Sequence, residues 1–269
     1  MRKNTLKEIW ARGEAVINGW CSIPSSFSAE IMAHQGFDSI TIDMQHGLVD
    51  YQVAVTMLQA ISTTSVIPLT RVPWSDPARL MKILDAGSYG VICPMINTPE
   101  DAEALVGACK YPPWGFRSFG PIRAKYYGGG ATHGGGDYHQ FADEETLVIP
   151  QIETRRAIGN LDSILEVRGI GAIYIGPSDL SMALGKEPRK GQRDPEVVEA
   201  IETILGAARR HGVPAGIHTN SADVAVEMIE RGFQLVSLQS DDRFLMQRAK
   251  TEVDDVRNGI SHDGRRGTP

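Results

Sequence analysis

Short apolar runs rich in β-branched residues, bounded by Gly, Pro or polar positions, recur eight times along the chain, at 15–22, 38–43, 66–71, 90–95, 147–152, 172–176, 214–218 and 234–239. Most are separated by stretches with helical spacing, among them DYQVAVTMLQAIS, DPARLMKILDAG, TPEDAEALVGACK, PEVVEAIETILGAARRHG and SADVAVEMIERG. Several of these open on a capping residue and several close on Gly. Alternation of this kind predicts parallel strands joined by helical crossovers. Eight repeats of the unit predict a closed α/β TIM barrel, (β/α)8, rather than an open doubly wound sheet. No G-x-G-x-x-G turn follows the first strand, so the dinucleotide-binding form of the open sheet has no support.

One connection breaks the rhythm. Residues 110–145 are long, aromatic and glycine-rich, and loops of this length are usually lids or mobile segments. Its GGGATHGGG stretch is too irregular for a phosphate loop and reads as flexible chain. A single domain over 1–269 is expected, with a flexible tail from about 258.

Composition narrows the function classes. A formal net charge of -6, with Lys and Arg scattered, argues against a nucleic-acid partner. No apolar run approaches a membrane span and the start lacks a signal-like apolar stretch, so a soluble, cytoplasmic protein is expected. Cys21, Cys93 and Cys109 form no C-x-x-C pair and read as buried, reduced thiols.

Barrel enzymes carry their chemistry at the carboxyl ends of the strands. There the sequence supplies TIDMQHG, PLTRVP, IPQIET, YIGPSDL and GIHTN, five strand ends each with a charged or imidazole side chain. Glu153 and Asp179 lie on consecutive ends, and two hard carboxylates without a His pair or Cys suit an octahedral divalent ion such as Mg²⁺ or Mn²⁺. Asp179 taken alone suits a helix cap equally well. Gln151 shares a face with Glu153 and either bonds substrate or fills the barrel's upper layer. Arg71, among apolar residues and prolines, needs an anionic partner or ligand. Asp43 and His46 end the second strand, where an imidazole can carry protons near neutral pH. Gly176, Pro177 and Ser178 lead into a helix start whose backbone N–H groups can hold a carboxylate. Trp20 is either a pocket wall or core, and His218 either meets a substrate or packs at the rim. Every lysine (3, 7, 82, 110, 125, 186, 190 and 250) falls outside the eight runs, which disfavours a Schiff-base lysine. Pyridoxal phosphate is not expected either.

The motifs DMQHG, TRVP, GFRSFGP, PQIET and GPSDLSMALG, in this order and at these strand ends, closely resemble the HpcH/HpaI family of metal-dependent 2-oxo acid aldolases, from about Trp10 to about Lys250. PQIET followed by GPSDL is the most specific part. The resemblance implies a phosphoenolpyruvate/pyruvate-type TIM barrel assembled as a homohexamer, a trimer of dimers. It implies retro-aldol cleavage of 4-hydroxy-2-oxo acids to pyruvate and an aldehyde, with Mg²⁺, Mn²⁺ or Co²⁺ on the residues matching Glu153 and Asp179. By the same carry-over Arg71 contacts the keto oxygen, Gly176 to Asp179 hold the carboxylate, and His46 with Asp85 acts on the reacting hydroxyl through water. Asp85 lies in LDAG, between a helix and the fourth strand, at the barrel end opposite His46. A pairing of the two therefore calls for a neighbouring chain. Gln45, Ser178 and His218 depart from what is common in relatives, which leaves the aldehyde open. Rival readings are a malyl- or citryl-CoA lyase, a macrophomate-synthase-like oxaloacetate decarboxylase, and a non-catalytic 2-oxo acid sensor.

Overall fold

A computed structural model describes residues 2–128, 138–188 and 193–263, with side chains over 2–126, 138–188 and 193–259. Eight parallel strands close into a barrel in chain order: β1 (Val16–Cys21), β2 (Ser39–Asp43), β3 (Ile67–Arg71), β4 (Gly90–Cys93), β5 (Leu147–Ile152), β6 (Ile173–Ile175), β7 (Ala215–His218) and β8 (Leu235–Ser240). Each coincides with one of the eight expected runs. β4 stops at Cys93, short of the expected 95, because Pro94 follows and Met95 turns into the left-handed region at φ 60°.

The helices are α1 (Thr5–Ala11), α2 (Ser26–Ala33), α3 (Tyr51–Ile61), α4 (Pro77–Asp85), α5 (Pro99–Cys109), α6 (Tyr138–Glu145), α7 (Arg155–Gly159), α8 (Leu161–Leu165), α9 (Pro177–Ala183), α10 (Pro195–His211), α11 (Ala222–Arg231) and α12 (Asp241–Asp263). Their ends follow local chemistry. Asp50, Thr98 and Ser221 accept N-terminal N–H groups of α3, α5 and α11, and Thr98 with Asp101 completes a capping box. Gly212 and Gly232 take φ of 66° and 101° to stop α10 and α11. Among the described residues no helix is long and apolar enough to cross a membrane.

The long connection after α5 is not all loop: it holds a 3₁₀ turn at Ala124–Gly128 and helix α6. Apart from Gly128, the GGGATHGGG stretch lies outside the described residues. At the other end α12 continues past 258, where a tail was expected, and reaches Asp263; residues 264–269 lie outside the described residues.

Strand alternation divides the core in two. Ile40, Ile42, Val91, Val148, Ile173, Ile175, Ile217 and Val236 face outward and pack under the helices. Val16, Ile67, Leu69, Ile92, Leu147, Ile149, Tyr174 and Leu235 fill the interior, and Leu6 of α1 belongs to the same cluster. Higher in the barrel the interior turns polar. Asn18, Ser39, Thr41 and Ser237 are buried there, with Ser39 and Thr41 donating to Asn18 Oδ1 at 2.8 and 3.1 Å and Asn18 Nδ2 donating to Ser237 at 2.8 Å.

Interior packing leaves no room at Gly90. A Cβ there would lie 2.8 Å from Leu147 Cβ and 2.9 Å from the Leu147 carbonyl oxygen, a backbone atom that cannot swing aside. Gly90→Ala should therefore cost about 1–3 kcal/mol of stability through overpacking. A lowered urea midpoint with unchanged slope is the expected result, and an unmoved midpoint contradicts it.

Candidate active site

The strand register builds the mouth of the barrel. β2 and β3 pair so that Asp43 stands beside Arg71, and the last pair of β5 and β6, Ile152 with Ile175, brings Glu153 level with Gly176. Charged side chains thus converge above the polar interior, at the carboxyl ends of the strands.

Arg71 finds its anionic partner inside the chain. Its Nε and Nη2 donate to the two carboxylate oxygens of Asp43 at 2.9 and 2.6 Å, a forked pair in which both side chains are largely buried. The guanidinium lies 4.8 Å over the Trp20 ring. Trp20 is 2% exposed, and its indole N–H donates to Asp43 at 3.2 Å. The backbone N–H groups of Gln45 and His46 donate to Asp43 at 3.0 and 3.2 Å. Burial pushes the Asp43 carboxyl up, but Arg71, Trp20 and the His46 N–H outweigh it and hold the group below the usual carboxylate range. Trp20 is therefore a floor for the Arg71–Asp43 pair, a role its indole chemistry permits and its position alone did not reveal.

Glu153 is 2% exposed. Its Oε1 accepts the Met95 N–H at 2.8 Å, and its Oε2 accepts from Gln151 Nε2. Met95 was not among the expected site residues; a non-glycine residue in the left-handed region, held there to aim an N–H at a carboxylate, is the strained backbone that functional sites tend to collect. Burial raises the Glu153 carboxyl above its ordinary range, and the charge of Asp179 raises it further, against the hydrogen bonds from Met95 and Gln151. Asp179 lies in the first turn of α9, where no side chain caps the helix, since its N-cap is Gly176. The capping alternative for Asp179 is thus not realised; the residue is exposed, and its charge acts on Glu153.

These residues suit a hard divalent cation. Two carboxylates repel each other across a partly desolvated gap, and Gln151 Oε1 beside them is buried with no donor. Among the described residues no three His, Cys, Asp or Glu side chains are grouped to hold a metal. An ion there would need water or substrate oxygens to complete its shell. Gly176 leaves space in the same corner, where a Cβ would meet Gln151 Nε2 at 2.7 Å and Glu153 Oε2 at 3.2 Å. Pro177 and Ser178 continue that turn.

His218 completes the wall. Its ring sits edge-on to Trp20, 5.0 Å between centroids, and its Nδ1 lies 3.2 Å from the Tyr174 hydroxyl. Tyr174 stacks on Trp20 and is bonded to Ser237 at 2.6 Å, which ties the mouth to the polar interior. Burial, then the charges of Arg71 and Arg243, lower the imidazole to about 4, so it is neutral at physiological pH. His46 is exposed on the loop after β2.

Asp85 is not brought to this mouth. It ends α4, at the opposite end of the barrel, where Arg117 Nη2 donates to it at 2.6 Å. Arg117 is itself buried, 4.6 Å from the centre of the Tyr111 ring. Burial keeps the Asp85 carboxyl above its ordinary range despite that pairing. The buried lysine, Lys110, also lies at the far end: it terminates α5, donates to the carbonyls of Asp143 and Thr146, and is lowered by burial to about 8.

Removing Asp43 leaves Arg71 without its counter-charge. Asp43→Ala should cost about 3 kcal/mol at pH 7, the scale for breaking a buried pair. Because the folded Asp43 pKa is depressed, its contribution is present above the unfolded value of about 3.9 and is lost as pH falls through the lower folded one. Urea unfolding at pH 7 and below pH 4 should show the wild-type advantage shrinking on the acid side; an equal gap at both would contradict the pairing.

Comparison with known proteins covers almost the whole chain. The HpcH/HpaI aldolase/citrate lyase family model matches residues 20–247. A hydroxypyruvate/pyruvate aldolase of Rhizorhabdus wittichii is 37% identical over 255 residues, 94% of this chain and 99% of that protein. A 4-hydroxy-2-oxo-heptane-1,7-dioate aldolase of Escherichia coli is 34% identical over 248 residues, 92% of this chain and 93% of that one. Among solved structures, an HpcH/HpaI aldolase/citrate lyase family protein from Burkholderia cenocepacia superposes with a TM-score of 0.87 at 30% identity, covering 95% of this chain and 100% of its own. The barrel, the carboxylates that close β5 and open α9, and this likeness along almost the whole chain make it a member of the HpcH/HpaI aldolase/citrate lyase family.

Proposed function

We propose that the chain is a divalent-metal-dependent aldolase that reversibly cleaves 4-hydroxy-2-oxo acids to pyruvate and an aldehyde. The observation that carries this reading is the buried Glu153 carboxylate, raised by its own burial and by the facing charge of Asp179, within the same mouth as Arg71. Family membership and aldolase relatives support the carbon–carbon lyase class. Glu153 and Asp179 hold the ion, Mg²⁺, Mn²⁺ or Co²⁺. When bound, it supplies Lewis-acid stabilisation of negative charge on a 2-oxo acid.

The chain's own residues do the rest. Arg71, fixed by Asp43 and Trp20, directs its guanidinium at the keto oxygen, where charge develops as the carbon–carbon bond breaks. The Gly176–Ser178 turn, open because Gly176 has no Cβ, receives the substrate carboxylate beside Gln151. His46 carries the proton of the 4-hydroxyl. Trp20 and His218 form the wall against which the aldehyde end lies. Asp85, remote from this mouth in its own chain, serves the mouth of a second copy through a water-linked contact with His46. That requirement calls for a homo-oligomer, and the family resemblance makes it a hexamer, a trimer of dimers. Exposed apolar side chains support it: Phe27 and Ile31 on α2, and Leu245, Met246, Val253 and Val256 on α12.

In a lactate-dehydrogenase-coupled pyruvate assay over a panel of 4-hydroxy-2-oxo acids, EDTA should abolish turnover and added Mn²⁺ or Mg²⁺ should restore it. Arg71→Ala should lower kcat by about two orders of magnitude or more, as for loss of an oxyanion donor. Turnover insensitive to EDTA, or near-native turnover in Arg71→Ala, would remove the proposal.

Shared active sites make a second outcome testable. His46→Ala and Asp85→Ala, each inactive alone, should regain activity when co-refolded, because some mouths then receive an intact His46 and an intact foreign Asp85. No recovery in verified mixed oligomers would place Asp85 outside the reaction.

A further inference from the structure

A line of hydrogen bonds climbs from the barrel interior to the mouth. Asn18 Nδ2 donates to Ser237 at 2.8 Å, the Ser237 and Tyr174 hydroxyls lie 2.6 Å apart, and the Tyr174 hydroxyl lies 3.2 Å from His218 Nδ1. Asn18, Tyr174 and Ser237 are buried, and Tyr174 stacks on Trp20. His218 is neutral at physiological pH, so one ring nitrogen carries a proton and the other a lone pair. Which nitrogen carries the proton decides what the ring can offer a substrate.

The hydrogens along the line decide it. Asn18 Oδ1 accepts from both Ser39 and Thr41. A reversed amide would strand those two buried hydroxyl hydrogens, so Nδ2 is the end that faces Ser237. Between Ser237 and Tyr174 either oxygen can donate. If Tyr174 gave its hydrogen to Ser237, Ser237 would receive two donors and its own hydrogen would have no acceptor among the described residues. With Ser237 donating to Tyr174, every hydroxyl hydrogen in the line has an acceptor. The Tyr174 hydrogen then goes to His218 Nδ1, which is the bare nitrogen, and the ring proton sits on Nε2.

Nε2 has no partner among the described residues. His218 lines a cavity of about 220 Å³ beside the mouth, together with Pro177 and Ser178 of the turn after β6. Trp20, edge-on at 5.0 Å, and the bond to Tyr174 hold the ring from two sides. With its lone pair turned to Tyr174, the ring has no nitrogen to give a cation. It has a fixed donor for an acceptor oxygen.

We propose that the line from Asn18 through Ser237 and Tyr174 holds His218 as the Nε2–H tautomer, and that this N–H donates to the carbonyl oxygen of the aldehyde half of the substrate. The inference deepens the aldolase reading and rests on it for the identity of that oxygen. Every substrate of the class carries it, as the 4-hydroxyl before cleavage and the aldehyde oxygen after. No proton leaves His218: its bond polarises the carbonyl, and His46 carries the proton. Tyr174 touches no reacting atom and acts through His218 as a positioning residue.

The first test is magic-angle-spinning NMR of Mg²⁺-loaded enzyme carrying ring-¹⁵N histidine at neutral pH. His218 is identified among the seven histidines by its absence from His218→Leu. Wild type should show a protonated Nε2 and a bare Nδ1; a protonated Nδ1 overturns the proposal. Tyr174→Phe should replace the single tautomer by a mixture, and one unchanged tautomer in that folded variant removes Tyr174 from the line. The second test divides kcat/KM for cleavage of 4-hydroxy-2-oxopentanoate by the rate of pyruvate methyl-proton exchange with D₂O, a reaction without an aldehyde. Tyr174→Phe and His218→Leu should each lower this ratio about three- to tenfold, the scale of one neutral hydrogen bond. Because the ratio is internal, loss of folded enzyme does not move it. A shift below twofold in both variants overturns the donor role and leaves the aldolase intact. Absence of both exchange and cleavage in wild type overturns the aldolase reading, and the substrate role of His218 with it.

Discussion

Two carboxylates facing one another at the mouth of the barrel, one of them buried, are the constraint on which the account turns. Burying a carboxylate is costly, and a second negative charge beside it makes the cost larger. The protein relieves Glu153 only partly, with one backbone N–H from Met95 and one side-chain amide from Gln151. What remains is an electrostatic demand that a divalent cation meets. Within reach of Glu153's field the opposite solution is adopted: Asp43 and Arg71 neutralise each other within the chain, on an aromatic floor. The mouth therefore offers a fixed, oriented cation on one side and, on the reading proposed here, a place for an exchangeable cation on the other.

The supporting shell explains how this arrangement is held. Trp20 holds the fixed half against the wall: it donates to Asp43, underlies Arg71, and packs against Tyr174 and His218. Tyr174 passes the network down to Ser237 and Asn18 in the barrel interior. Polar groups so deep in a TIM barrel are acceptable only when they bond to one another, and here they do. Rigidity of that kind keeps Arg71 from relaxing into solvent, which the role proposed for it requires.

Much of this was legible in the sequence. The eight β-rich runs and the alternating helical spacing specify the barrel because parallel strands must alternate with crossovers, and the strand ends then name the rim residues. PQIET and GPSDL put Glu153 just past β5 and Asp179 in the helix after β6, where the folded chain has them. Other features were hidden. That Asp43 answers Arg71 depends on the register between β2 and β3, which periodicity does not set. Met95 contributes a backbone N–H, to which residue identity is silent. Asp85 was legible as misplaced: its position between a helix and a strand fixes it at the far end, and its pairing with Arg117 is what the folded chain supplies there.

The central claim is that Glu153 and Asp179 together hold one cation. Titration of EDTA-stripped protein with Mn²⁺, followed by the free-ion EPR signal, tests it most directly. The account predicts one ion per chain in the wild type, weakened at least tenfold in both Glu153→Gln and Asp179→Asn while the far-UV spectrum is retained. Unchanged Mn²⁺ binding in either folded variant would contradict it.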